Sequence, residues 1–194
     1  MKILCCSLVF LALAANTLPA YQAPRPLQTR VNADAAIILD FTKRVNEYLK
    51  IHKKIAAAVH NLKSTDSQEA IVRHERELAD GIRAARVGAR QGEIFTPEIS
   101  GVFRRLLVAV TKGPPGKKVQ SSLKQEEPAK LELAVNRAYP SDQPLQSTPP
   151  TLLANFPVLP KEVEYRIVGP HLILRDVDAN LIIDFVLNAI TQNK

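Results

Sequence analysis

The sequence reads as an α+β fold, with helices first and a small sheet after them. Two observations carry this. Apolar residues recur at helical spacing over residues 31–127, and a period of two takes over from residue 129, with no interleaving of the two patterns. That order argues against a parallel α/β sheet, and no internal repeat is present. Three or four short strands make a sheet that needs a cover for its apolar face. Residues 31–194 are therefore expected to form one domain: a long antiparallel helical hairpin, a third helix, and a C-terminal antiparallel β-meander packed on the helices, with a helical part at 31–127 and a β part at 129–190.

The first helix is the strongest signal. Ile38, Phe41, Val45, Tyr48, His52, Ile55, Val59 and Leu62 alternate in steps of three and four, which puts them on one stripe. The pattern breaks over Asn61 to Asp66. Thr65 with Gln68, or Asp66 with Glu69, then offers a capping box for a second helix with the stripe Ile71, His74, Leu78, Ile82, Ala85 and Ala89. A short polar loop between two such helices predicts a hairpin in which each buries the other's stripe. The second helix should end near Gly88 to Gly92. Thr96-Pro97-Glu98 starts a third, with an N-cap, a proline at the first helical position and an acid in the positive-dipole turn. Its apolar face is Ile99, Val102, Phe103, Leu106, Leu107 and Val110, and Gly113-Pro114-Pro115-Gly116 stops it. A short helix is expected over residues 118–126.

Leu131, Leu133 and Val135 then alternate with polar or small residues, as in a half-buried strand. A proline-rich connection, Pro140 to Pro160, holds one expected helical turn at Thr148 to Leu153. Three β-rich runs follow it, Val163 to Val168, Leu172 to Arg175 and Leu181 to Val186. Gly169-Pro170 and the stretch Asp176 to Asn180 punctuate them, predicting a meander.

The N-terminus reads as an address. Lys2, the apolar run Ile3 to Ala15 and the small residues Leu18-Pro19-Ala20 follow the order of a secretory signal peptide, and the run is shorter than the roughly 20 residues a membrane-spanning helix needs. Residues 1–20 are expected to be removed, with Ala14 and Ala15 as other fitting cut points. Residues 21–30, with Pro24 and Pro26, form an extended leader. Cys5 and Cys6 both lie in the apolar run, so the mature chain would hold no thiol. This excludes cysteine nucleophiles, thiolate metal sites and disulfides. The formal net charge of +7 favours anionic neighbours. Outside the cell those are lipid headgroups, wall polymers and polysaccharides rather than nucleic acid.

Candidate site residues are few. His52 and His74 each interrupt an apolar stripe. With a turn near Ser64 they lie twelve and ten residues from it, a mismatch of only ~3 Å along the axis, so the two imidazoles are expected to face one another. They would then be hydrogen-bonded across the interface, with at least one ring resisting protonation. A divalent metal such as zinc, with Tyr48 or Glu75 approaching, is the other use of such a pair, although a zinc site wants three or four ligands. Arg73, Arg76, Arg83, Arg86 and Arg90 along the second helix read as a solvated face or as an anion-binding surface, and Lys43, Arg44, Lys50, Lys53 and Lys54 line the first. Asp176, Asp178, Asn180 and Asp184 begin like a calcium loop, but Leu181 and Leu187 replace the required glycine and glutamate, so a hairpin turn is expected.

Catalytic motifs are missing from the sequence. Ser100-Gly101 and Ser121-Ser122 lack a nucleophile elbow, and Gly113 to Gly116 with Lys117 and Lys118 is too short for a phosphate loop. Glu126-Glu127, and Glu162 with Glu164, are expected to be solvated.

The stretch Ala89-Arg90-Gln91-Gly92-Glu93-Ile94-Phe95-Thr96-Pro97-Glu98 with Phe103-Arg104-Arg105-Leu106 resembles a family of exported bacterial proteins of unknown function. So does the ending from Tyr165-Arg166-Ile167-Val168-Gly169 through His171 to Asp176 and Asn180 to Phe185. The resemblance implies a bacterial, periplasmic or extracellular protein and carries no activity or site residue. The expectation is a non-catalytic, soluble binding protein without a cofactor, whose hairpin or sheet edge meets an envelope protein, polymer or anionic surface. The alternative is a cell-envelope hydrolase working through carboxylates or histidine, with or without a metal.

Overall fold

The computed structural model describes residues 33–59, 67–111, 132–140 and 153–190, all within one compact unit, residues 31–194. The expected signal peptide and leader, the helix expected at 118–126 and most of the proline-rich connection lie outside the described residues. The fold is α+β: three helices, α1 (Ala33–Ala58), α2 (Gln68–Ala85) and α3 (Pro97–Thr111), then three strands, β1 (Val163–Val168), β2 (His171–Asp176) and β3 (Leu181–Val186). The strands form an antiparallel sheet in the order β1-β2-β3, packed against the helices.

The α1 stripe faces inward as its spacing requires, with Phe41, Val45, Tyr48 and His52 buried together with Leu49. In α2 the N-cap is Ser67, whose Oγ accepts the Ala70 N–H at 3.3 Å, rather than Thr65 or Asp66. Only the second half of the α2 stripe is buried, at Leu78, Ala79 and Ile82, while Ile71 is 47% exposed. The α3 signals hold: Thr96 Oγ1 accepts the Ile99 N–H at 3.4 Å, and Pro97 is the first helical residue. Around Phe103 the rings of Phe41, Phe95, Phe156 and Tyr165 stand with centroids 4.6 to 5.7 Å away, tying α1, α3 and β1 into one aromatic centre.

The sheet is covered on both faces. Leu172, Leu174, Leu181 and Ile183 join the helical core, while Ile173, Ile182 and Phe185 form a second cluster with Tyr139 and Val168 on the outer face. That outer cover corrects the expected strand around residues 131–136. Residues 135–136 form a turn, Asn136 takes a φ of 63°, and the extended run stops there. Pairing begins further on instead, where Asn136 N–H reaches Ile182 O, Ile182 N–H reaches Arg137 O, and Ala138 bridges to Leu181. The alternation still decides burial, because Leu133 and Val135 are the residues that pack on the outer cluster.

A β-bulge sets the direction of one acidic side chain. Leu174 pairs with Asp184 but Arg175 pairs with Ile182, so Ile183 is an extra residue in β3. Cross-strand partners share a face, hence Asp184 points with Leu174 toward the helices.

Candidate functional site

Tyr48 and His52 are four residues apart on α1, so they stand one above the other on its buried side. Asp176 closes β2 directly opposite them. One carboxylate oxygen, Asp176 Oδ2, accepts the Tyr48 hydroxyl at 2.5 Å and meets His52 Nδ1 at 2.6 Å, while Oδ1 accepts the Ala179 N–H at 2.8 Å. Asp176 is 0% exposed and His52 3%. His52 Nε2 faces the carboxylate of Asp178 at 3.6 Å, whose side chain is 55% exposed. The Arg86 guanidinium covers the Tyr48 ring at 5.1 Å. It also donates to Asn136 Oδ1 and to Ile183 O, and Asn136 Nδ2 donates back to Arg86 O.

The electrostatics follow from this geometry. The hydrogen bond to Asp176 holds the His52 imidazole above its ordinary range. Burial opposes the shift, but the charges of Asp176, Asp178 and Glu162 reinforce it. Tyr48 is pushed up by burial and by the neighbouring Asp176 charge. A buried aspartate on Nδ1 is also how catalytic histidines are oriented. Here Nε2 meets a carboxylate, and among the described residues no hydroxyl or thiol lies within hydrogen-bonding reach of it.

The expected His52–His74 pair is replaced by a His52–Asp176 pair. α1 packs on the sheet as well as on α2, and His52 lies on the side that meets β2, with both of its ring nitrogens facing carboxylates. Of the two rings of which at least one was expected to resist protonation, His52 is instead held above its ordinary range. Among the described residues no group of three or more histidine, cysteine or acidic side chains is placed to hold a metal ion.

The five arginines divide. Arg73, Arg76 and Arg90 are exposed, Arg83 is tied to Asp80 and to Asn136 O, and Arg86 is buried under the constellation just described. Arg73 and Arg76, with Gln68, Glu69, Val72, Glu77 and Asp80, line a cleft of about 550 Å³ along α2.

Three partnerships were invisible to sequence reasoning. Asp184, wholly buried, accepts the N–H groups of Gly92, Ile94 and Phe95 at 2.8 to 2.9 Å and so fixes the loop between α2 and α3. Gly92 there has a φ of 90°, which a side chain would oppose. On the outer face, expected to be solvated, Glu164 binds Arg166 and buried Arg175, and Arg175 lies 5.5 Å from the Tyr139 ring centroid. Burial pulls the Glu164 carboxyl up, yet the hydrogen bonds and charges of the two arginines outweigh it and hold it low. The third is the His52–Asp176 pair itself. A usable signal existed for Asp184, since a charge set within the apolar run Leu181 to Val186 demands partners.

None of the described helices is long and apolar enough to cross a membrane. Comparison with protein-family models, with curated proteins and with solved structures gives no match to this chain. The functional reading therefore rests on the site itself.

Proposed function

We propose that the chain is an exported bacterial envelope protein that binds another envelope component through the first half of α2 and performs no chemistry. The observation that carries this reading is the division of labour among its polar groups. Asp176, Asp184, Arg86 and Arg175 are buried and occupied in holding elements together, whereas Ile71 and Val72 are exposed beside Arg73, Arg76 and the α2 cleft. Apolar side chains beside the cations Arg73 and Arg76 and the acids Glu69, Glu77 and Asp80 suit a partner with an apolar ridge and charged groups, such as an envelope protein whose anionic groups meet the two arginines. Export is supported by the order Lys2, apolar run, small residues.

Two measurements test it. A C-terminal fusion to a reporter active only outside the cytoplasm should be active, and the exported product should begin near Tyr21. Purified protein should bind vesicles or wall polymer carrying negative charge, with affinity falling about tenfold in Arg73→Glu/Arg76→Glu, a loss of roughly 1.4 kcal/mol. The competing reading, a hydrolase, is favoured by the buried aspartate on His52 Nδ1. Turnover of ester, glycoside, peptide or phosphate substrates that disappears in His52→Gln would establish it and overturn the binding reading.

A further inference from the structure

α1 meets the β2–β3 turn through Tyr48, whose hydroxyl donates to Asp176, and through His52, which has a carboxylate facing each ring nitrogen. His52 stands between two carboxylates, with Asp176 on Nδ1 at 2.6 Å and Asp178 facing Nε2 at 3.6 Å. The groups around it come from every neighbouring element. Tyr48 lies one turn back on α1, Asp176 ends β2, Asp178 sits in the following turn, Glu162 adds its charge from just before β1, and Arg86 after α2 stacks on the Tyr48 ring. The charges of Asp176, Asp178 and Glu162 all favour the imidazolium, and the Arg86 guanidinium is directed at the Tyr48 ring.

We propose that His52 is a pH-operated latch: its protonated form clamps α1 to the β2–β3 turn, and its deprotonation loosens the turn without unfolding the core. The turn is built for this. Asp176 binds His52 with Oδ2 and caps the turn through the Ala179 N–H with Oδ1, so a change at the imidazole is felt at the turn through one carboxylate. Asp178 is half-exposed and gives the ring a route for proton exchange with solvent. The aromatic centre around Phe103 lies among other side chains and has no part in the clamp.

The direction of the effect follows from linkage. A histidine held above its unfolded value of about 6.5 contributes stability in full below that value and loses it as pH rises through the folded value. Opening of the turn should therefore increase as pH rises from the unfolded value of about 6.5 through the folded value, about tenfold for each unit separating the two.

The test uses the full chain with labelled histidine. The His52 ring signals report its titration, and hydrogen exchange of the Ala179 amide, corrected for intrinsic rate, reports opening of the turn. Wild type should titrate above 6.5 and show Ala179 opening that rises over the same pH interval. His52→Gln should abolish that rise while Phe103-region amides keep their protection. Should His52→Gln fail to fold, Asp178→Asn, at a half-exposed position, should move the His52 titration downward and shift the Ala179 curve with it. Titration of His52 at or below 6.5, or Ala179 opening that stays flat or falls across the His52 titration, overturns the proposal.

Discussion

Ile55 of α1 rests on the bare backbone of Gly81 in α2: a Cβ on the glycine would stand 2.3 Å from Ile55 Cγ2. The helices cross closely there because no side chain intervenes. Gly81→Ala should gain up to about 1 kcal/mol in helix propensity yet lose more to overpacking, for a net cost of about 1–2 kcal/mol. Urea unfolding of Gly81→Ala, Ile55→Ala and the double variant checks this, and the double variant should recover part of the loss. A stabilised Gly81→Ala would show that the helices have room to separate.

Asp184→Ala should be among the most disruptive single changes. It strands the N–H groups of Gly92, Ile94 and Phe95, the last two in buried residues, at a cost of about 1–3 kcal/mol for each group that water cannot reach. Asp184→Asn, which keeps one acceptor oxygen, should cost less. Denaturation midpoints rank the two, and amide exchange at Ile94 and Phe95 should accelerate in both.

Phe103→Ala should cost about 3–5 kcal/mol, since the ring is wholly buried among four others. Val158→Ala, at a residue 96% exposed, should fall within about 0.5 kcal/mol of wild type. Thermal or chemical unfolding measures both, and equal effects would contradict the burial pattern.

His171 should respond to pH with the opposite sign from His52. Burial lowers its imidazole below the ordinary value, and Nδ1 accepts the Asn188 N–H at 3.1 Å, which requires the neutral ring. Its contribution to stability is present above about pH 6.5 and is lost as pH falls through the folded value. Denaturation of His171→Gln from pH 5 to 8 should show a weaker loss on the acid side than wild type, and an unchanged profile would remove His171 from the account.

The elements were legible in the sequence wherever periodicity ran long or a cap was explicit. The α1 stripe, the start Thr96-Pro97-Glu98 and the three β runs reappear within a few residues of their expected bounds. The strand expected at 131–136 failed because alternation reports which side chains are buried and is silent about φ, and Asn136 ends the extended run. The site was half legible. His52 stood out as a polar residue on an apolar stripe, but its partner lies 124 residues away in the chain, a pairing set by how α1 docks on the sheet rather than by local spacing. Asp176 and Asp184 looked like turn and surface residues because their partners are a tyrosine hydroxyl, an imidazole and backbone N–H groups, none of which announces itself as the complement of a carboxylate.

The short pairing of residues 136–139 with β3 also governs what the sheet can recruit. Those residues occupy hydrogen-bonding positions that β3 would otherwise present at its margin. β1, at the other margin of the sheet, carries Glu164 and Arg166. Charged side chains on a border strand discourage intermolecular zippering. Elongation of the sheet into a neighbouring molecule is thus opposed by a chain segment along Asn180 to Ile182 at one margin and by charged side chains at the other.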